Sequence, residues 1–247
     1  MRFLAYEYSA ARIAILAAIV AGSLTAQTAQ QAPSQTTKPA VTPAAQKTPV
    51  KLNDAGVPPP TRAAILRGAY GPYRANNDLL YYHLDIRVDP EKKFISGKNT
   101  IRFKMLADGK RIQLDLRETF NIDKILMGTT QLKYERDSGA VFVDFPETLH
   151  AGQVYSIEFY YSGHPVEIGR FGGLTFKKDP AGRVWINTAC EGDGASVWWP
   201  NKDQWRDEVE SMDISVAIPK DLVDVSNGKF VAKTDLGDGY TRWDWHV

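Results

Sequence analysis

Cysteine is almost absent: Cys190 is the only one in 247 residues. A lone thiol excludes an internal disulfide framework, and in an oxidising compartment it is expected as a small, buried, inert side chain. Histidine is scarce too, with only His83, His150, His164 and His246. No two of them stand at metal-ligand spacing and H-E-x-x-H does not occur, so each reads as a solvated or hydrogen-bonded side chain and the chain itself as holding no metal. G-x-S-x-G is missing, which removes support for a serine hydrolase of that type. The glycine pair in "RFGGLTF" lacks the spacing of a phosphate loop and reads as a loop or bulge. The formal charge is only +1, and no basic run is interleaved with aromatics, so nucleic acid is not an expected partner. No long segment has a 3.6-residue period, which argues against helical and doubly wound folds.

What is present divides into three stretches. Residues 1–26 have the form of a secretory signal, with Arg2 and Arg12, the apolar run "IAILAAIVA" at 13–21, and small residues offering cleavage after Ala26. That run is half of the roughly 20 residues a bilayer span needs, so no stable membrane span is expected; an uncleaved N-terminal anchor is the alternative. Residues 27–60 are Ala, Thr, Gln and Pro with almost no large apolar side chains. Such a segment cannot offset the entropy of ordering and reads as a disordered, extended tether. Residues 61–247 are long enough for one domain with a real core. The implied product is exported, periplasmic or secreted.

Within that domain a short helix is expected from Thr61, as cap, to about Leu66, ended by Gly68. The rest reads as strands. Leu80, Tyr82, Leu84, Ile86 and Val88 alternate with polar residues, the period-2 pattern of a half-buried strand. Ile101, Phe103 and Met105 repeat it, as do Ile112, Leu114 and Leu116, with Gln113, Asp115 and Arg117 on the other face. Val141 to Phe145, Tyr155 to Tyr161 and Met212 to Ile218 continue the pattern, and Pro219 ends the last. Asp108-Gly109, Ser138-Gly139, Ala151-Gly152, Asn227-Gly228 and Asp238-Gly239 supply turns between these runs. Short strands with regular turn signals make the fold all-β, an antiparallel sandwich or open barrel. Trp243, Trp245 and Val247 alternate up to the last residue, which suggests a sheet cut in mid-strand and a chain that is the front part of a longer protein.

One stretch stands apart, "CEGDGASVWWPNKDQW" at residues 190–205. Gly192 and Gly194 let the backbone turn sharply and approach a ligand. Glu191 and Asp193 place negative charge there, while Trp198, Trp199 and Trp205 are expected mainly as core packing. Glu191, Asp193, Asp203, Asp207, Glu208 and Glu210 cluster in sequence. A carboxylate pair among them would suit glycoside hydrolysis, though solvated faces are the commoner use of such clusters.

Five segments occur in an order that resembles a known family: "YYHLDIRVDPEKKFISGKNTIRF", "IQLDLRETFNIDKI", "LHAGQVYSIEFYYSGHP", "CEGDGASVWWPNKD" and "MDISVAIPKDLVDVSNGKF". From about Asn77 to Val247 the chain is similar to the N-terminal domain of M1 zinc aminopeptidases, the gluzincin aminopeptidase N type. The resemblance implies a saddle-like β-sandwich. It also implies a thermolysin-like catalytic domain as partner, which carries the zinc cofactor in H-E-x-x-H and a later Glu, together with G-x-M-E-N. Neither motif is in this chain. Peptides with a free N-terminus are the implied substrates. The family's N-terminal domain lends the site one Glu or Gln before the aromatic-aromatic-Pro step, and Glu191 matches that position, nine residues before Pro200. The chain departs from the Pro-Cys-x-Asp-x-Pro found in many members, since Pro200-Asn201-Lys202-Asp203-Gln204-Trp205 lacks the second proline. By this resemblance no catalytic residue lies in the chain and the substrate-binding residue is Glu191. The reading from another class is a stand-alone secreted β-sandwich that binds peptide, glycan or a surface partner.

Overall fold

The computed structural model describes residues 58–168, 172–192 and 194–247. The signal expected at 1–26 lies outside the described residues, as does the linker except for 58–60, which are exposed and outside regular structure. Thr61 caps α1 (Arg62–Gly68) by accepting the Ala64 N–H at 3.2 Å, the use of a threonine side chain expected from the sequence. A second short helix, α2 (Pro72–Ala75), begins on a proline that needs no N–H partner. It was invisible to periodicity, because four residues make barely one turn.

Thirteen strands follow among the described residues. In chain order they are β1 (Asn77–Asp89), β2 (Phe94–Met105), β3 (Gly109–Asp115), β4 (Phe120–Met127), β5 (Thr130–Gln131), β6 (Lys133–Asp137) and β7 (Ala140–Leu149), then β8 (Val154–Gly163), β9 (Gly172–Lys178), β10 (Val184–Cys190), β11 (Ser211–Pro219), β12 (Lys229–Asp235) and β13 (Tyr240–His246). Eight form one sheet in the order β12-β13-β11-β1-β2-β8-β4-β5. A second sheet has the order β3-β7-β6, and β9 and β10 make a separate ribbon. The two larger sheets share one core. Ile101, Phe103, Ile157 and Phe159 come from the large sheet, and Ile112, Leu114, Val141 and Val143 from the small one. Phe103 meets Phe145 across the interface with ring centroids 6.2 Å apart. Each such side chain removed from water contributes roughly 1.5–3 kcal/mol. The all-β sandwich is therefore what the molecule adopts.

Three details differ from the sequence reading. Leu80 does not join the buried face of β1. The ladder to β2 shifts register between Leu79 and Tyr81, so Leu79 and Tyr82 are the buried pair and the alternation changes phase there. The sheet is also not purely antiparallel, since β1 runs parallel to β11 from Tyr81↔Ser211 to Arg87↔Ala217. Periodicity reports which face a residue takes and says nothing of strand direction. Finally β13, expected to end with unpaired backbone, is hydrogen-bonded on both sides, to β11 and β12.

Gly97 on β2 sits against β1 so closely that a Cβ would overlap the Asp85 carbonyl oxygen and lie 2.8 Å from Ile86 Cα. Both obstacles are backbone at the centre of the large sheet, and neither can swing away. Gly97→Ala is expected to destabilise the chain by about 2 kcal/mol, the cost of forcing an extra carbon into a packed site. The urea midpoint should fall with an unchanged slope; an unaltered midpoint would show that the strands separate freely.

Candidate functional site

The stretch singled out in the sequence begins where β10 ends. β9 is packed inward, with Gly172, Gly173, Leu174 and Thr175 buried, whereas β10 is mostly exposed, including Trp185 and Cys190. Among the described residues β10 pairs only with β9. Glu191 follows directly after β10, at the end of the ribbon away from its 179–183 turn. Its side chain is exposed and forms no hydrogen bond or ion pair with the described residues.

The chain turns back at Gly192 and Gly194, with φ of 79° and 77°, a region other residues enter only with strain. The Gly194 N–H donates to the Cys190 carbonyl at 3.2 Å and closes the turn. One 3-10 turn, Ala195–Val197, then carries the chain toward the sheets. Asp193 lies outside the described residues.

The segment from Trp198 to Asp207 fastens this loop to the sandwich. Trp199 is buried and meets Tyr82 edge-on at 5.2 Å, and Trp198 meets Trp199 at 6.1 Å. Trp205 does not follow them: it is 80% exposed. So the expectation of core packing holds for Trp199, is partly met by Trp198 and fails for Trp205. The Pro200 carbonyl accepts from Asn99 Nδ2 at 2.8 Å. Asn201 and Asp115 exchange two backbone hydrogen bonds, at 2.7 and 3.1 Å, which splices the loop onto the end of β3.

Cys190, expected to be buried, is exposed, because it lies on the outer strand of the ribbon and off the main core. Trp198 Nε1 donates to its sulfur at 3.4 Å. Partial desolvation around the sulfur raises the thiol pKa, so it remains protonated and weakly reactive near neutral pH.

Beneath the loop lies a buried ionic layer that sequence reasoning missed. Arg74 on α2 is fully buried and grips Asp115 at the end of β3 through both carboxylate oxygens, at 2.6 and 2.5 Å. Its other terminal nitrogen donates to the carbonyls of Leu66, Arg67 and Ala69 at 2.6–2.8 Å, which holds α1 and the following bend. Asp115 also accepts the Asp203 N–H at 3.1 Å. Burial pushes the Asp115 carboxyl up to about 6, with Arg74 and the Asp203 amide pulling it back. Beside this pair Lys202 is buried with Asp207, and donates to the Asn77 carbonyl at 2.7 Å. Burial lowers the Lys202 pKa against the pull of Asp207. The other face of β3, which carries Gln113 and Asp115, is thus covered. The available signal was a chain that places Arg74, Asp115 and Lys202 next to apolar or aromatic runs, where an unpaired charge is not tolerated.

This geometry separates the sequence cluster of carboxylates. Asp203 and Asp207 are spent on internal donors: Ser196 and Asp203 are bonded together, and Asp207 binds Lys202 and the Leu79 N–H. Glu208 and Glu210 are exposed on the outgoing chain. Glu191 keeps an open carboxylate. The histidines are dispersed, each with its own neighbour: His83 with Ser215 Oγ at 2.9 Å, His150 with Asp108 at 3.2 Å, His164 with the Lys93 carbonyl at 3.2 Å and His246 with Asp213 at 2.6 Å. Among the described residues no three His, Cys, Asp or Glu side chains are grouped to hold a metal ion. The donors among the described residues do not fit a zinc centre.

The family model for the peptidase M1 N-terminal domain matches residues 79–247. The chain therefore belongs to the peptidase M1 N-terminal domain family. Its fold is similar to solved M1 zinc metallopeptidases. One is a two-domain enzyme variant bound to L-arginine, with 21% identity and a TM-score of 0.59 over 70% of this chain and 39% of that one. Another is an M1 zinc metallopeptidase variant from Deinococcus radiodurans, with 20% identity and a TM-score of 0.60 over 73% and 41%. A third, from the same organism, is bound to a Tyr-Ser-Ala substrate, with 20% identity and a TM-score of 0.58 over 73% and 41%. No curated protein sequence matches the chain. The chain spans about two fifths of the length of these solved structures.

Proposed function

We propose that this chain is the N-terminal part of an exported zinc aminopeptidase, and that Glu191 anchors the α-amine of the peptide being shortened. The observation that carries the reading is the state of Glu191: an exposed carboxylate without a partner among the described residues, at the tip of an exposed strand, on a turn braced from below. An α-amine is a cation, and a carboxylate accepts charge-assisted hydrogen bonds from it. A peptide nitrogen inside a chain has no such charge, so the same contact selects chain ends. Family membership supports the substrate class.

In this reading peptide hydrolysis is the work of a thermolysin-like zinc domain, the partner that membership of the M1 N-terminal family suggests. Residues 1–26, read as a secretory signal, suit a periplasmic or secreted product. The test uses two proteins. A full-length polypeptide that continues into the zinc domain is expected to hydrolyse amino-acid anilides with a free amine. The 247-residue chain alone is expected to release no aniline and to take up no stoichiometric zinc. Hydrolysis or zinc uptake by the chain alone would overturn the division of labour.

A further inference from the structure

Glu191 must be held at a fixed height to meet an amine, yet its own turn contains two glycines and has little intrinsic stiffness. The contacts that brace it come from Asp203. Its Oδ2 accepts from both the backbone N–H of Ser196, at 3.1 Å, and the Ser196 hydroxyl, at 2.6 Å. The same carboxylate lies directly against Gly194, where any Cβ would overlap it. One side chain therefore grips the loop on both sides of Ala195, three to five residues from Glu191. Asp203 is itself fixed from behind by its N–H to Asp115, which Arg74 holds inside the fold. The Ser196 carbonyl completes the clamp by accepting the Arg117 N–H at 2.9 Å. A continuous line of hydrogen bonds and contact thus runs from the buried Arg74–Asp115 pair, through Asp203, to the turn that carries Glu191.

We infer that Asp203 is a positioning residue for substrate-amine recognition, acting through Glu191 without touching the substrate. The inference rests on the amine-anchor reading above and deepens it. A carboxylate displaced by even about 1 Å loses much of a charge-assisted hydrogen bond, because geometry beyond the normal range contributes little. Removing the clamp should therefore weaken binding of the free amine while leaving the chemistry on bound substrate largely intact.

The experiment is a double-mutant cycle in the full-length polypeptide with its zinc domain. It compares wild type, Asp203→Ala, Glu191→Ala and the double variant on an amino-acid anilide and on its N-acetylated form. Asp203→Ala is expected to raise KM for the free-amine substrate roughly tenfold with kcat changed less than about twofold, and to leave the acetylated substrate unaffected. Asp203→Asn, which retains an acceptor for Ser196, should recover most of the loss. In the Glu191→Ala background, Asp203→Ala should add nothing further, since both act through one contact. If Asp203→Ala fails to fold, Ser196→Ala removes only the 2.6 Å hydroxyl bond and should give a smaller rise in KM of the same kind. Equal losses from Asp203→Ala with and without Glu191 would overturn the inference and make Asp203 a purely structural residue. So would an unchanged KM in Asp203→Ala beside a raised KM in Glu191→Ala, an outcome that leaves the amine-anchor reading standing. An unchanged KM in Glu191→Ala would remove that reading and the positioning role with it.

Discussion

Replacing Arg74 by methionine is expected to destabilise the chain by about 3–5 kcal/mol at pH 8, the usual cost of leaving a buried charge without its partner. Arg74 is fully buried and Asp115 nearly so, and the pair is bidentate. Methionine fills similar volume, so the cost comes from charge and hydrogen bonds and not from a cavity. Two parts make it up. The carbonyls of Leu66, Arg67 and Ala69 lose a donor, and that part does not titrate. Asp115 loses its counter-charge, and that part does.

The sign of the pH dependence follows from the direction of the Asp115 shift. Desolvation raises its carboxyl from 3.8 to about 6 even beside Arg74. A carboxyl raised in the fold contributes stability that is complete below its unfolded value and lost as pH rises through its folded value. Without the guanidinium the folded value climbs further. The deficit of Arg74→Met should therefore be largest at pH 8 and narrow as pH falls toward 5, where Asp115 is protonated in both proteins. Urea unfolding at the two pH values measures it. An equal deficit at both would contradict an ionic role for the pair.

The second large effect concerns function. Glu191→Ala in the full-length polypeptide is expected to lower kcat/KM for free-amine substrates roughly 10- to 100-fold, since a hydrogen bond to a charged group is worth about 1.5–3 kcal/mol. The loss should appear mainly in KM, because the amine is already charged in the bound ground state and stays charged through the reaction. Glu191 is exposed and supports nothing among the described residues, so thermal stability should not change. Deletion of Arg74 and deletion of Glu191 thus give opposite signatures, one in stability and one in substrate binding.

Much of this architecture was legible in the residues. Alternation placed Leu84, Ile86, Val88, Ile101, Phe103, Ile157 and Phe159 in the core, because a strand packed on one face must repeat every second residue. Ser138-Gly139 reads as a turn, and both residues have positive φ, 49° and 87°. The phase change at Leu80 was not legible, since a bulge depends on both strands and leaves no mark on one. Nor was the parallel pairing of β1 with β11, which is set by the long excursion between them. The ribbon of β9 and β10 leaves little mark in the sequence, because β10 is exposed on most of its length and so shows no clean apolar period.

The order of segments singles out Glu191 as the proposed anchor, but it carries no sign of what surrounds that residue. Asp203 looked like one acid among several, yet it faces inward and binds Ser196. Asp115 looked like the outer face of a strand, yet α2 covers it through Arg74. Pairings separated by 41 and 88 residues cannot be read from spacing. They arise only when the sheets bring the partners together.

In the proposed function the Glu191 carboxylate recognises the charged end of a peptide. The most direct measurement is the ratio of kcat/KM for a free-amine substrate to that for its N-acetylated form, taken in the full-length polypeptide for wild type and Glu191→Ala. The ratio is expected to be large in the wild type and to collapse roughly 10- to 100-fold in the variant, through loss on the free-amine substrate alone. A ratio unchanged by the substitution would contradict that recognition.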